Sequence, residues 1–432
     1  MAGQNYSAYV RAMAVVSRPF SRHAIPLVGT IVLLSAFMGM SLFALPEWHH
    51  LQGWSYTMDI WDNLQLAHLA DTGAYTAIYG QGLAETPGIV FALAPVWWII
   101  HAAGMSVAFV FEPLHPTAWL VVGPYEVLLS ACALFAFDAV ADRLGASAVS
   151  RLLICAVEVF ALYNVLLWGH PEDAVAVACL LYSCLAASEK RWSRCGWLFG
   201  GAVVFEPVVL LALPFLVVVA SRRNFLGLLA RAAAPTVALL IPPLTMNWSV
   251  TIHGLLDQAT YPSLNRPTPW LDLAPSLGHE GYMGASAVTA AADGPSRLLA
   301  IFLALVLGFA FRRGARELKV VIAVVALTLF LWCACEAVIA PYYVWPTIAV
   351  ALIGLSTASP LRSAAILIFA VSSDVASNAD LHAEWLWWVI VSLLAVLLAV
   401  SWPKRRAEPE SNTSTPSVPQ PSTPCEAQPA AT

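Results

Sequence analysis

Long apolar runs recur along this chain, and they limit the fold more than any other feature. Many are about 17–25 residues long, which is the length of a helix that crosses the hydrocarbon core of a bilayer. Hydrophobic residues make up 59% of the chain and charged residues only 11%, whereas a soluble domain has about 25% charged residues. Because backbone polar groups in lipid must be paired within their own segment, such runs form helices. The sequence therefore predicts an all-α, polytopic membrane protein.

The apolar runs predict about 11–13 spans, including re-entrant hairpins. Segment 196–220 begins after one basic cluster and ends at another, and the Glu206-Pro207 step at its centre breaks a helix. We therefore expect it to enter and leave the membrane on one side. Segment 88–116 forms either a hairpin that turns near Gly104 or two short spans. The remaining predicted spans are 24–45, 117–141, 149–168, 173–188, 226–246, 297–311, 319–335, 341–357, 362–373 and 385–402.

Lysine and arginine cluster in alternate connections between the spans, and the positive-inside rule places such connections in the cytoplasm. Two long connections without this enrichment, at 47–87 and 247–295, are predicted to be outer loops. The chain then divides into a cytoplasmic arm at 1–23, a transmembrane domain at 24–403 and a disordered cytoplasmic tail at 404–432, rich in Pro, Ser and Thr. This pattern predicts an integral protein of the cytoplasmic (plasma) membrane with both termini inside.

Composition also argues against several classes of protein. The net charge of -5 disfavours a nucleic-acid partner, which selects a basic face. The eight cysteines are scattered and form neither a metal-ligand set nor a disulfide framework. The run at 24–45 exceeds the roughly 7–15 residues of a signal-peptide core, so it is expected to remain as a span.

Several prolines in the loop at 247–295 predict an irregular segment with short helices at most.

Residues 58–71 of the first outer loop are predicted to form a helix with a polar face. Asp59, Asp62, Asn63 and Leu66 share this face because positions i, i+3, i+4 and i+7 align on a helix. Two carboxylates one turn apart repel each other, so at the rim of an apolar site one of them can act as a general base. Alternatively the pair shares a divalent cation, or it only offsets the helix dipole.

Aromatic and apolar side chains near the outer ends of the spans favour membrane anchoring. Ile60, Trp61 and Leu64 are expected to lie beside the polar face, against the membrane interface. Tyr342 and Tyr343, in the segment Pro-Tyr-Tyr-Val-Trp-Pro, fit either an aromatic belt or contact with a substrate.

The outer connection at 168–173 reads Trp-Gly-His-Pro-Glu-Asp. Pro171 suits the first turn of the following helix, and Glu172 and Asp173 suit its acidic first turn. These structural roles are enough to explain the segment without a function. The functional alternative is that His170 and the two acids face the first loop across a shared outer cavity.

Two isolated charges complete the candidates. Arg266 is the only Lys or Arg in the loop at 247–295, and its forked donors either bind a phosphate or lie in solvent. Glu206 is a carboxylate at membrane depth, and its partner cannot be named from the sequence.

Short motifs in order along the chain resemble a known superfamily. Asp59 precedes Gly73-Ala-Tyr75 in the first loop, Thr86-Pro87-Gly88 opens the second span, and Glu206-Pro207 lies in a hairpin after a basic loop. Together with the segment Pro341–Pro346, this pattern resembles the GT-C superfamily of membrane glycosyltransferases. The nearest likeness is to the bacterial polyprenyl-phosphate-mannose-dependent alpha-mannosyltransferases, and it covers most of residues 25–360.

The resemblance implies a GT-C-like fold and an inverting transfer of a mannose-like sugar at the outer face. The donor would be a polyprenyl-phosphate sugar, held among membrane lipids, and the acceptor a lipid or glycan. Asp59 would be the general base, and Asp62 would orient the site or assist a metal. A divalent cation is left open, and no other cofactor is expected. Contacts to the donor would come from His170, Glu172, Arg266, Tyr342 and Tyr343.

Two other functions fit the same sequence. A transporter or flippase for a lipid-linked or small polar solute would place acids and broken helices at mid-membrane. A non-catalytic membrane scaffold would use the Pro/Ser/Thr-rich tail as its binding element. Most of the candidate acids lie at the outer rim, which favours the enzyme.

Overall fold

The computed structural model describes residues 23–43, 58–80, 86–105, 118–220, 222–256, 259–260, 266–282, 285–291, 294–312, 317–379 and 384–403. The arm at 1–22, the tail at 404–432 and parts of both long loops lie outside these residues, as does segment 106–117 after the predicted turn at Gly104. Predictions for those segments stay predictions.

Helices form most of the described chain. The first half contains α1 (Ala24–Phe43), α2 (Met58–Asp71), α3 (Tyr75–Gly80), α4 (Pro87–Ala102), α5 (Trp119–Arg143), α6 (Ala148–Trp168), α7 (Pro171–Ser188), α8 (Trp192–Phe205), a 3₁₀ helix (Pro207–Ala212), α9 (Leu213–Val219), α10 (Arg222–Met246) and α11 (Trp248–Leu256). The second half contains α12 (Pro295–Ala310), α13 (Leu318–Cys335), a 3₁₀ helix (Pro341–Val344), α14 (Trp345–Leu352), a 3₁₀ helix (Ile353–Thr357), α15 (Pro360–Ser377) and α16 (Trp385–Ser401).

Six of the described helices are long and apolar enough to cross a membrane, namely α5, α6, α7, α10, α13 and α15. Shorter apolar helices include α1, α4, α12 and α16. Only 11% of the apolar window of α10 is buried, as expected for a helix whose surface faces lipid. In its described part the protein is therefore an all-α, polytopic membrane protein, as the apolar runs predict. The predicted span at 341–357 is instead a short helix, α14, between two 3₁₀ turns.

The helices have two chemically different ends. Arg143 ends α5, and Arg151 and Lys319 lie in the first turns of α6 and α13; we call this the basic end. His170 lies at the opposite end, between α6 and α7, and we call this the site end.

The chain from α8 to α10 doubles back, as the charge pattern predicts. A Cβ atom added to Gly196 or Gly200 of α8 would lie 3.0 Å or 2.6 Å from the carbonyl oxygen of Leu228 or Ala232 in α10, respectively. From the first contact to the second, the position moves four residues forward in both helices. Therefore α8 and α10 run side by side in the same direction. Because both helices begin at the basic end, the 3₁₀ helix and α9 between them must lead back to it, and segment 196–220 turns at its Glu-Pro step.

The second long loop is more regular than predicted. Strands β3 (Ser276–Tyr282) and β4 (Ala285–Ala291) form an antiparallel hairpin, and β1 (Ala259–Thr260) pairs with β4. Strand β2 (Arg266–Pro267) pairs with β5 (Val338–Ile339), which directly precedes the Tyr-Tyr segment. The prediction of short helices at most was wrong because the prolines lie outside β3 and β4, where the ladder needs backbone donors.

α2 has the predicted bounds but not the predicted surroundings. It packs against α4, and the ring of His68 lies 4.7 Å from that of Trp97. Ile60 and Leu64 are 1% and 0% exposed, so they belong to the core and do not lie at the membrane interface. The side chain of Trp61 lies outside the described residues. The face of α2 that was predicted to lie at the membrane interface is covered by its packing on α4.

Candidate active site

His170 lies at the centre of a polar cluster at the site end. Gly169 ends α6 in the left-handed conformation with φ of 79°, and Pro171 begins α7, so His170 occupies a tight turn between two spans. Its Nε2 lies 2.9 Å from Oδ2 of Asp59, and its Nδ1 lies 2.6 Å from Oε1 of Glu172. The structure thus joins the first loop to the connection between α6 and α7 through one imidazole.

The charge of this imidazole follows from its neighbours. Burial lowers the pKa of His170, but the carboxylates of Glu172 and Asp59 outweigh burial and raise that pKa well above its usual range. In the protonated ring both nitrogens carry hydrogen and donate to the two carboxylates. His170 is 7% exposed, so these bonds form largely away from water.

Aromatic rings cover the imidazole. The ring of Tyr342 is stacked on His170 with centroids 3.6 Å apart and planes 23° apart. Tyr343 meets Tyr342 edge-on at 4.9 Å, and Trp168 lies 6.4 Å from Tyr342. A tyrosine face attracts a cation, so this stacking favours the charged ring. Both tyrosines point into the cluster and do not form an outward aromatic belt.

The acidic face of α2 is only partly at the site. The side chain of Asp59 is 37% exposed, so a substrate can reach it. Asp62 is half-buried one turn further along α2. Asn63 is fully buried, and neither polar atom of its side-chain amide has a hydrogen-bond partner. A buried amide without partners is rare and marks a place where a ligand or water can bind.

No protein-family model and no curated protein matches this chain. The likeness to membrane glycosyltransferases therefore rests on the motifs described above.

Two further carboxylates belong to the cluster. Glu126 of α5, which is not among the residues predicted from the sequence, is 1% exposed and interacts electrostatically with Glu172 and His170. Glu206, whose partner could not be named from the sequence, interacts with Glu172, His170 and Arg297. Its Oε1 also accepts the N–H of Val208, which caps the 3₁₀ helix of the hairpin. An acid inside an apolar run is the signal that could have identified Glu126.

Arg297 is the arginine that the structure brings to this cluster. In the first turn of α12 it donates to both carboxylate oxygens of Glu336, at 3.0 Å and 3.4 Å. Burial raises the pKa of Glu336, and Arg297 only partly opposes this effect. The side chain of Arg297 is 36% exposed and that of Glu336 is 1% exposed, so the guanidinium lies at the edge of the cluster. Arg297 was not predicted as a site residue because it lies at the start of an apolar run, where a single basic residue gives no sign of a site.

Arg266 lies elsewhere. It is 7% exposed, and its guanidinium donates to the backbone carbonyls of Ser377 and Ala379 at the end of α15. Of the two positions that the sequence left open, the solvated one is therefore wrong, and no described contact tests the phosphate-binding one. Pairing of β2 with β5 carries the residue inward, where it holds a helix terminus.

The described residues contain no group of three or more His, Cys, Asp and Glu side chains arranged to hold a metal ion. Asp59 and Glu172 bind opposite nitrogens of one imidazole, so their carboxylates do not converge on a common point. The cluster is better suited to moving a proton than to chelating a cation.

Proposed function

We propose that this protein is a membrane glycosyltransferase that transfers a mannose-like sugar from a polyprenyl-phosphate donor to a hydroxyl of a lipid or glycan acceptor. The observation that carries this proposal is the bond between the reachable carboxylate of Asp59 and the buried ring of His170. The motif resemblance and the polytopic fold support the same conclusion.

Sugar transfer to a hydroxyl requires a base that removes the hydroxyl proton as the new bond forms. Asp59 supplies a carboxylate at the rim of the cluster, and the N–H of His170 fixes the orientation of that carboxylate. Glu172 in turn fixes the ring from the other side. This is the arrangement of an oriented base, in which one group acts and two others hold it.

The donor phosphate needs a cation, and Arg297 meets this need better than Arg266. A guanidinium binds phosphate oxygens in pairs, and Arg297 is partly exposed beside the cluster. On donor binding, the guanidinium of Arg297 would release the carboxylate of Glu336 and donate to the donor phosphate instead. Tyr342 and Tyr343 offer ring faces and hydroxyls for the sugar.

We also propose that the site end faces the outside of the cytoplasmic membrane. The basic end carries the Lys and Arg residues that the positive-inside rule assigns to the cytoplasm. The prenyl chain would then lie along the apolar, lipid-exposed helix faces, and the acceptor would reach Asp59 from the outer surface.

The test is sugar transfer by purified protein in lipid nanodiscs. Radiolabelled polyprenyl-phosphate mannose is the donor, and a total lipid and glycan extract of the host membrane supplies acceptors. Asp59→Asn should reduce transfer by about 10²–10⁴-fold, the usual contribution of a general base. Asp71→Asn, an exposed acid at the end of the same helix, is the matched control and should retain wild-type activity. Full activity of Asp59→Asn would refute the assignment of the base.

A carrier for a lipid-linked solute is the second candidate, because carboxylates also lie inside the spans. Glu158, near the middle of α6, is 0% exposed and accepts the indole N–H of Trp345 at 3.2 Å. Asp374 of α15 accepts the amide of Asn164 at 2.7 Å. Buried acids in spans often mark transport paths. Movement of a labelled lipid across reconstituted vesicles without chemical change, abolished by Glu158→Gln, would favour this function over the transferase.

A further inference from the structure

Arg231 belongs to α10, the helix whose surface is mostly open to lipid. Its side chain is half-buried, and its Nη1 donates to the carbonyl oxygen of Gly227, four residues earlier, at 2.8 Å. The side chain therefore runs back along α10 toward the basic end. Long basic side chains take this direction when they carry their charge from an apolar span to the membrane surface.

Two glycines make room for this arrangement. A Cβ atom added to Gly196 of α8 would lie 2.8 Å from Cβ of Arg231, so the first carbon of the arginine side chain packs against bare helix backbone. A Cβ atom added to Gly227 would lie 2.8 Å from Nη1, so the guanidinium occupies space that a side chain at this position would fill. The position of the charge is thus determined by both helices.

Arg231 differs in its hydrogen bonds from the other buried and half-buried arginines of the described residues. Each of the others donates to both oxygens of a carboxylate or to two backbone carbonyls; they are Arg151, Arg266, Arg297 and Arg362. Arg231 donates to one carbonyl, and no carboxylate in the described part of the chain forms an ion pair with it. Because a guanidinium has five N–H donors, most of its donors remain for a partner outside the chain.

The depth of the guanidinium indicates what that partner is. α10 has 25 residues, so it is about 37 Å long and exceeds the roughly 30 Å of the hydrocarbon core. The exposed, charged side chain of Arg223 keeps the first turn outside that core. The guanidinium beside Gly227 is then roughly 7 Å from the start of the helix, where lipid phosphates meet the hydrocarbon.

The charges and the surface of α10 favour an anionic lipid. Arg223, Gly227 and Arg231 lie on one face, since positions i, i+4 and i+8 align on a helix. Two guanidinium groups attract a head group with a net negative charge, and their forked donors bind phosphate oxygens in pairs. Ala238 and Ile241 continue this face toward the bilayer centre and are exposed, so an acyl chain can lie along them.

We propose that the face of α10 around Arg231 binds one anionic phospholipid at the basic end. The lipid phosphate accepts hydrogen bonds from Arg231 beside Gly227, and Arg223, one turn nearer the start of the helix, attracts the negative charge. An acyl chain follows the apolar continuation of the same face. This site lies at the end opposite His170, so it does not depend on the proposed function.

The experiment measures lipid binding to the full chain by native mass spectrometry in a neutral detergent, over a range of lipid concentrations. The wild type should bind its first phosphatidylglycerol more tightly than phosphatidylcholine, which has a phosphate but no net charge. Arg231→Gln should weaken this first binding step about tenfold, because charge-assisted hydrogen bonds to the phosphate are lost. Arg143→Gln makes the same change of charge at another exposed position of the basic end. It is the matched control and should bind like the wild type.

A second variant separates a positioned guanidinium from general attraction between charges. Gly227→Ala keeps every charge but displaces Nη1 of Arg231, so it should weaken the first binding step by less than Arg231→Gln does. Wild-type affinity in Gly227→Ala would refute the position of the phosphate beside Gly227.

Three other outcomes overturn the proposal. Equal losses in Arg231→Gln and Arg143→Gln would mean that the basic end attracts lipids only through its summed charge. No loss in Arg231→Gln would mean that water alone solvates this guanidinium, and equal affinities for the two lipids would remove the preference for an anionic head group. If Arg231→Gln does not fold, Arg231→Lys keeps the charge without the forked donors and should also weaken the first binding step.

Discussion

The two ends of the helix bundle contain charge clusters that are built in opposite ways. At the basic end, Nε and Nη2 of Arg151 each lie 2.6 Å from a carboxylate oxygen of Asp138. At the site end, His170 lies between Asp59 and Glu172, and the other oxygen of Glu172 is buried without a partner. In the first cluster donors and acceptors are matched, whereas in the second carboxylates outnumber cations.

This difference separates a structural cluster from a functional one. A matched, bidentate ion pair leaves nothing to react, so its role is to hold α5 against α6. Unmatched buried acids destabilise a fold, and proteins keep such groups mainly where chemistry or binding needs them. The contrast predicts different consequences when each end is altered.

The largest expected effect concerns which end faces outward, and it is all or none. Cysteine replaces Asp71, at the end of the helix that carries Asp59, or Ala148 at the basic end, both exposed, in a chain that carries Cys425→Ser. A membrane-impermeant maleimide should label the Asp71→Cys protein in intact cells and the Ala148→Cys protein only after permeabilisation. The parent chain is the control, because the seven cysteines of the described residues are buried or half-buried. The reverse pattern would place the candidate site in the cytoplasm.

The next effect tests whether the basic end is only structural. Asp138→Asn leaves the Arg151 guanidinium without its bidentate partner and should lower the free energy of unfolding by about 2 kcal/mol, the lower end for buried pairs. The low value is expected because Arg151 also reaches Asp142 at 3.3 Å. Thermal unfolding in detergent measures the loss, and sugar transfer per folded molecule should be unchanged. Loss of transfer in a folded variant would remove the distinction between the two ends.

A smaller effect depends on pH at the site end. Burial lowers the pKa of His170, but Glu172 and Asp59 raise it well above its usual value of about 6.5. The pairing therefore stabilises the folded protein fully below that usual value, and the stabilisation is lost as pH rises through the raised pKa. Thermal unfolding at increasing pH should show this decline in the wild type and in Asp138→Asn, at up to about 1.4 kcal/mol per pH unit. His170→Asn should flatten it, and an equal decline in that variant would contradict the assigned charge.

The sequence predicts the helices well and the site only in part, for a physical reason. Lipid requires helices wherever an apolar run crosses it, so the bounds of α6 and α7 follow closely from the local pattern. The contact between Asp59 and His170 joins residues 111 positions apart and depends on how α2 packs. Glu126 lies in an apolar run without periodic signal. The buried position of Arg266 was not predicted, because it depends on pairing between β2 and the distant strand β5.

The smallest expected effect concerns Tyr342, whose direction the sequence left open. If its ring face stabilises the charged imidazole, Tyr342→Leu should lower the pH at which His170 loses its proton, because leucine keeps the ring buried but has no π face. A cation–π energy of about 0.7 kcal/mol corresponds to roughly half a pH unit. Tyr342→Phe is the matched control and should leave the midpoint near that of the wild type, as measured by NMR of labelled histidine. Equal midpoints in the leucine and phenylalanine variants would mean that Tyr342 only packs on His170, and the charge of the site end would then depend on its carboxylates alone.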